Sequence, residues 1–343
     1  MVNPLLKITF ALAAIGSTAA DEATPLPILE TPTETELPDE TKPYYYYEQG
    51  TGLEKDSFSS HKIMTLNTCM LDGTLPKKYG GVTPAQERTS RLSDFIRTYN
   101  PDIFLGQEVT LETGTLLYNE LKDQYPHFWI GMGIDPGNEQ SGLFVASKYP
   151  LVSEPLFIPF SESMQRPTDE KRILERGFFC LETADYWIVT SHLESGSPEK
   201  GGSYRRTQLQ YITQYMDLLT EVTQKPYLVA GDLNIERTAQ PNDEYSQSGI
   251  AESYYDFYTE KHPEFNETTF TATNLLTFRA NGEVEPPEEE ERNEIDDYFL
   301  IRKTFKDRFN AFQVELLSDT YDLNQPLSEA LSDHRAYLAE FSL

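Results

Sequence analysis

A mixed α/β fold is predicted by three features of the sequence. Short apolar segments of strand length alternate with longer stretches whose apolar residues recur at helical spacing. Hydrophobic residues make up 38% and aromatics 12%, enough for a sizeable core and incompatible with a wholly disordered chain. No linker-like stretch interrupts the chain after Ser57, so one catalytic-size domain is expected over residues 58–343 of the 343.

The elements follow in order. Lys62 to Asn67 reads as a strand. Thr83-Pro84-Ala85-Gln86 has the pattern of a helix start, with Thr as N-cap and Pro at the first helical position. Leu92, Phe95, Ile96 and Tyr99 give that helix one apolar face, and Asn100-Pro101 stops it. Ile103 to Gln107 is a short buried strand; Gly142 to Ser147, Phe178 to Leu181 and Tyr186 to Ser191 are further strands. Arg205 to Thr223 is a second helix, with Leu209, Ile212, Met216 and Leu219 on one face. Tyr227 to Asp232, Ile295 to Ile301 and Ala336 to Phe341 complete the strand set. Strands separated by helical stretches point to mixed sheets.

The N-terminal region has a different composition. Residues 1–20 read as a secretory signal peptide: Lys7, an apolar run from Ile8 to Ile15, then small residues from Gly16 to Ala20. That run is too short to span a bilayer, and no later segment is long and apolar enough, so no transmembrane segment is expected. Residues 21–57 are acidic and proline-rich and read as a solvated, disordered tail. Within it, Tyr44 to Tyr47 suits either a binding motif or the strand or coil that docks the tail. Export implies an oxidising compartment, in which Cys69 and Cys180 can pair only if the fold brings them together.

Charge narrows the partners. The formal net charge is −28; the tail's −8 and Lys7's +1 leave −21 for residues 57–343. Such a polyanion repels nucleic-acid phosphates unless its basic residues cluster, so stable nucleic-acid binding is not expected. Part of the charge sits in Gly282 to Glu294, expected as a solvated loop.

Polar residues at strand ends carry the chemistry. Gly231-Asp232-Leu233-Asn234 follows an apolar strand, and a carboxylate beside an amide suits a hard metal ion or a phosphate oxygen, or simply an Asx turn. Glu108 ends another apolar strand, where a carboxylate is costly unless paired or metal-bound, or else lies in an exposed loop. Ser191-His192-Leu193-Glu194 ends a third strand, and Ser332-Asp333-His334 starts the last. Two of five histidines thus sit at strand ends, and α/β sites gather at such edges.

The ordered set resembles the endonuclease/exonuclease/phosphatase (DNase I-like) superfamily. The matching pieces are Leu66-Asn67-Thr68, Gln107-Glu108-Val109, Ser141-Gly142-Leu143, Ser147-Lys148-Tyr149-Pro150, Arg176-Gly177, Ser191-His192-Leu193, Gly231-Asp232-Leu233-Asn234, Asp297-Tyr298-Phe299-Leu300 and Ser332-Asp333-His334. The Ser-Gly-Leu and Ser-Lys-Tyr-Pro pieces, with Arg205 and Gln208-Leu209, look most like the neutral and bacterial sphingomyelinase branch. The resemblance implies a four-layer α/β sandwich: two mixed sheets packed face to face with helices outside. It implies Mg²⁺, replaceable by Mn²⁺ or Co²⁺, held by Glu108 with Asn67 beside it. His334 would be the general base. Asp232 would orient the nucleophile or stabilise the transition state, Asn234 and His192 would bond phosphate oxygens, and Asp333 would support the site. The family carries one Asp where this chain has two: the Asp-Tyr-Phe-Leu match favours Asp297 as the partner of His334, the Ile-Asp match favours Asp296, and Asp297 is preferred.

The expected function is therefore a secreted, monomeric, Mg²⁺-dependent phosphodiesterase acting on a phospholipid head group at a membrane surface, with sphingomyelin favoured. A secreted nuclease, a phosphatase of inositol lipids or polyphosphates, and an inactive binding module are the alternatives, in falling order. A zwitterionic phosphocholine suits an acidic protein, since carboxylates and tyrosines accept its quaternary ammonium. Tyr254, Tyr255, Phe257 and Tyr258 form an aromatic patch that either touches lipid or fills the core.

Overall fold

The computed structural model describes residues 45–48, 60–71, 85–130, 141–153, 155–165, 174–237, 244–262, 268–271, 293–317 and 331–343. The expected signal peptide, the helix cap at Thr83-Pro84 and the acidic stretch up to Arg292 lie outside them.

Fifteen strands are present among the described residues. The first sheet holds β1 (Tyr45–Glu48), β2 (His61–Met70), β3 (Ile103–Val109), β4 (His127–Ile130), β5 (Phe144–Ser147), β14 (Asn310–Leu317) and β15 (Ala336–Ser342), in the order β1-β4-β5-β3-β2-β15-β14. The second holds β6 (Leu156–Pro159), β7 (Gly177–Glu182), β8 (Trp187–His192), β9 (Tyr227–Asp232), β10 (Tyr254–Asp256) and β13 (Asp297–Arg302), in the order β10-β13-β9-β8-β7-β6. β11 (Phe270–Thr271) and β12 (Asn293–Glu294) form a short ribbon.

Each sheet contains one parallel pair among antiparallel neighbours: β2 with β3, and β8 with β9. A parallel pair needs a crossover. α1 (Ala85–Tyr99) supplies it in the first sheet and α3 (Pro198–Thr223) in the second; α2 (Leu111–Leu121) packs beside α1.

Three apolar clusters separate four layers. Ile63, Leu105 and Ala339 from the first sheet meet Phe179, Leu228 and Phe299 from the second. Leu92 and Ile96 of α1 and Leu117 of α2 cover the outer face of the first sheet through Met64, Phe104 and Leu338. Leu209, Ile212 and Met216 of α3 cover the second through Cys180, Val189 and Val229. The chain is thus the expected four-layer sandwich with mixed sheets.

Several expectations need correction. The second helix begins at Pro198, seven residues before Arg205, despite Gly201-Gly202 in its first turns. A Cβ at Gly201 would strike the Arg205 guanidinium, so the glycine makes room for a buried arginine. Of the readings open for the tyrosine run, the docking strand is the one formed: Tyr45–Glu48 pairs antiparallel with β4, as aromatic residues favour an extended edge. Tyr254, Phe257 and Tyr258 are buried, so they fill the core and offer no lipid-facing patch. Cys69 and Cys180 are not joined in a disulfide. Cys180 sits in the helix-side cluster of the second sheet, against Met216, whereas Cys69 ends β2 in the other sheet. Among the described residues no helix is long and apolar enough to cross a membrane.

Candidate active site

The site lies where the C-terminal ends of both parallel pairs meet. Strand alternation decides which side chains point inward. In β9, Leu228 and Ala230 face the other sheet, so Asp232 does too. Registers place His192 opposite Asp232 and Asp232 opposite Asp297, one row across three strands. Asp297 shares the inner parity of Phe299 and Ile301, whereas Asp296 falls on the parity of Tyr298 and Leu300. In the first sheet Asn67 continues the inward set of Ile63 and Thr65.

Asp232 is the hub. Its Oδ2 accepts from Asn67 Nδ2 at 2.9 Å, lies 3.3 Å from His192 Nε2 and 3.9 Å from His334 Nε2. Its Oδ1 accepts from the Asn234 backbone N–H at 2.9 Å. One carboxylate therefore ties the two sheets together. Burial pushes its pKa up to about 6, opposed by nearby His334. Gly231 precedes it at φ 142°, and a Cβ there would strike the Ser191 carbonyl oxygen; only glycine lets β8 and β9 approach this closely.

His334 Nδ1 is 2.8 Å from Asp297 Oδ2, so Asp297 is the orienting carboxylate and Nε2 faces Asp232. Burial disfavours the imidazolium, but Asp297, Asp232 and Asp333 outweigh it and hold the His334 pKa well above its ordinary value. His192 goes the other way: burial, with Arg176 and His334 nearby, holds it neutral. His192 Nε2 is directed at Asp232, so a bond from this nitrogen to a phosphate oxygen, as expected from the sequence, would compete with that carboxylate; its buried Nδ1 has no partner among the described residues.

Glu108 leaves the strand alternation at φ 59°, and Asn234 does the same at φ 51°. Strained backbone at both positions re-aims side chains at the strand ends. Burial and the adjacent Asp333 carboxylate raise the Glu108 pKa to about 7, while a hydrogen bond from Asn67 opposes the rise. Glu108 and Asp333 supply two hard carboxylate donors whose mutual repulsion a dication relieves, while Asn67 turns its amide N–H₂ toward this site and gives its Oδ1 to the Cys69 N–H. Among the described residues no three His, Cys, Asp or Glu side chains converge on an ion, so water and substrate would complete a coordination shell. Mg²⁺ is commonly held in that way, through one or two carboxylates.

Supporting contacts explain several other motif residues. The Gly142 carbonyl accepts from Val109 N–H beside Glu108. Arg176 donates to the carbonyls of His192 and Leu193 at 3.1 and 2.8 Å. Arg205 forms a bidentate pair with Glu244 at 2.7 and 2.6 Å and donates to the carbonyls of Glu194 and Gly196. Gln208 bonds Glu194 N–H and the Met164 carbonyl. The loop after β8 is thus held from three sides.

Sequence reasoning missed three contributors. Glu244 is the counter-ion of Arg205. Arg88, fully buried, clamps the carbonyls of Thr68, Cys69 and Leu331 and so joins the end of β2 to the loop before His334. Thr269, also fully buried, accepts from the N–H groups of Asp296 and Asp297. Arg88 stands one turn before Leu92 on the apolar face of α1, a position that signals burial but not its partners, and a threonine in a loop carries no sequence signal for such a role.

Residues 64–334 match the profile of the endonuclease/exonuclease/phosphatase family. No curated protein sequence matches the chain. Among solved structures, SmcL is similar at 17% identity and a TM-score of 0.60, covering 83% of this chain and 99% of its own. A Staphylococcus aureus beta toxin structure gives 15% and 0.58, covering 81% and 99%. D. rerio TDP2, complexed with a single-strand DNA product, gives 17% and 0.57, covering 83% and 100%. At these identities the likeness carries the fold alone.

Proposed function

The chain belongs to the endonuclease/exonuclease/phosphatase family, and on that premise we propose a secreted, Mg²⁺-dependent phosphodiesterase that cleaves sphingomyelin to ceramide and phosphocholine. The observation that carries the reading is the Asp232 hub, which sets a histidine–carboxylate pair against the opposite sheet's Asn67 and Glu108. Glu108 and Asn67, with Asp333 beside them, would hold the cation. When bound it supplies charge stabilisation for phosphate oxygens and acidifies water.

The remaining work falls to the chain's own side chains. Asn234 is fixed by Leu193 and Asp232, leaving one amide hydrogen for a phosphate oxygen. The 3.9 Å gap between His334 Nε2 and Asp232 Oδ2 is suited to a water held by both. His334 takes the proton as that water attacks phosphorus, the bond from phosphorus to the ceramide oxygen breaks, and that oxygen takes up a proton from solvent as ceramide leaves; Asp297 holds the imidazole in the tautomer whose Nε2 is the acceptor. A neutral His334 is required for this step, and positive charge beside Glu108 and Asp333 favours it by offsetting carboxylates that raise its proton affinity.

Substrate choice rests on charge and motif. The net −21 of the body opposes a polyanion and tolerates a zwitterion. The Ser-Gly-Leu, Ser-Lys-Tyr-Pro and Arg205 pieces point to the sphingomyelinase branch. Residues 1–20 would bring the enzyme to the outer leaflet. The test is a panel of sphingomyelin, phosphatidylcholine, plasmid DNA and inositol phosphates, each with Mg²⁺ and with EDTA. Phosphocholine release from sphingomyelin liposomes, abolished by EDTA, is expected. Plasmid nicking without phosphocholine release would replace this substrate with DNA.

A further inference from the structure

A pocket opens beside His334 and is lined by Pro198, Asn234, Glu236, Glu294 and Asp296 around the Arg205 side chain. Its volume is about 110 Å³, room for several water molecules and hence for a small organic group. We propose that this pocket binds the ammonium end of a zwitterionic phosphodiester head group, which the Asp296 carboxylate recognises. The inference rests on the phosphodiesterase reading above and names how its substrate is selected.

Asp296 is the second, independent observation. It is 4% exposed, lines the pocket, and its carboxylate has no hydrogen bond or ion pair with any described residue. Its neighbour Asp297 has taken the role of orienting His334. Strand alternation sends Asp296 to the other side, into the pocket. Burial and the nearby Glu294 carboxylate raise the proton affinity of this unpartnered group, and a cation seated in the pocket would offset both costs. Arg205 cannot be that cation, because Glu244 and two carbonyls already engage its guanidinium.

The lining favours an organic cation over a metal. Among the described residues Glu236, Glu294 and Asp296 do not converge with any other His, Cys, Asp or Glu into a group that would hold an ion. The attraction is therefore between spread carboxylates and a diffuse positive charge. Position fits as well: Asn234 and His334 belong both to this pocket and to the phosphate-handling site. An ammonium seated here lies a short spacer away from the scissile phosphate.

The test uses the full chain at constant Mg²⁺. Choline binding is measured by calorimetry for the native protein, Asp296→Asn and Glu236→Gln. In parallel, kcat/KM is measured for sphingomyelin and for bis(p-nitrophenyl) phosphate, which carries no cation. Choline affinity should fall at least tenfold in Asp296→Asn, and the ratio of the two kcat/KM values should fall at least tenfold with it. Glu236→Gln, at the pocket's more exposed rim, should lower both in the same direction. Equal losses on both substrates would show a structural role and overturn the proposal, as would failure of the native chain to bind choline. Loss of a Mg²⁺ equivalent in place of choline would also overturn it. Choline binding that depends on Asp296, with sphingomyelin left intact, would keep the pocket and sink the sphingomyelinase reading. Sphingomyelin hydrolysis with unchanged selectivity in Asp296→Asn would do the reverse.

Discussion

Replacing Asp297 by Asn isolates the carboxylate that orients His334. The native contact is a hydrogen bond of 2.8 Å between His334 Nδ1 and Asp297 Oδ2, both groups buried. A hydrogen bond to a charged group contributes about 1.5–3 kcal/mol. If that is expressed wholly in the transition state, at about 1.36 kcal/mol per decade, kcat should fall roughly 10- to 160-fold. KM should change little, because proton transfer is lost and not ground-state binding. The fold should survive: the amide is isosteric and removes a buried charge whose Oδ1 has no partner among the described residues. The assay pairs kcat on a chromogenic phosphodiester with a proton NMR titration of His334. Asp297 supports the imidazolium, so the titration midpoint should move down in the variant. A kcat within twofold of native, or an unmoved His334 midpoint, would refute the assignment of this pair.

Metal binding should depend on pH with a defined sign. Glu108 holds its proton up to about pH 7, and a proton there competes with a cation. The apparent Mg²⁺ affinity should therefore rise about tenfold per pH unit between pH 5.5 and 7 and level off above, as read by calorimetry; a flat profile would remove Glu108 from the metal site. Glu108→Gln should lose Mg²⁺-dependent activity while keeping its melting temperature, since it relieves repulsion with Asp333. Glu244→Gln leaves the Arg205 guanidinium buried without its counter-ion, at a cost of about 3–5 kcal/mol, and should lower Tm by at least roughly 6 °C. The double replacement Arg205→Met with Glu244→Met should recover much of that loss, and a drop under about 2 °C in the single variant would argue against a stabilising pair.

The layer architecture was legible in the sequence, and so were most of the residues that the fold brings together in the candidate site. Apolar strands alternating with amphipathic helices needed burial on both sheet faces, here given by helices on the outer face and by the second sheet on the inner one. Asp232, His192, Glu108, Asn67 and His334 were legible because polar residues at the ends of apolar strands are conspicuous against their surroundings. The choice between Asp296 and Asp297 was also latent in the alternation of Phe299 and Ile301 with Tyr298 and Leu300, once it was known which face met the other sheet. That face was a tertiary fact. So was the early start of the second helix, because Gly201 is tolerated only where a distant Glu244 draws Arg205 inward past it. The separation of the two thiols and the buried roles of Arg88 and Thr269 likewise depended on contacts far apart in the chain. Local pattern reports what each strand presents. Which side chains meet across the gap between sheets is set by packing, and there a single carboxylate, Asp232, joins residues 67, 192 and 334.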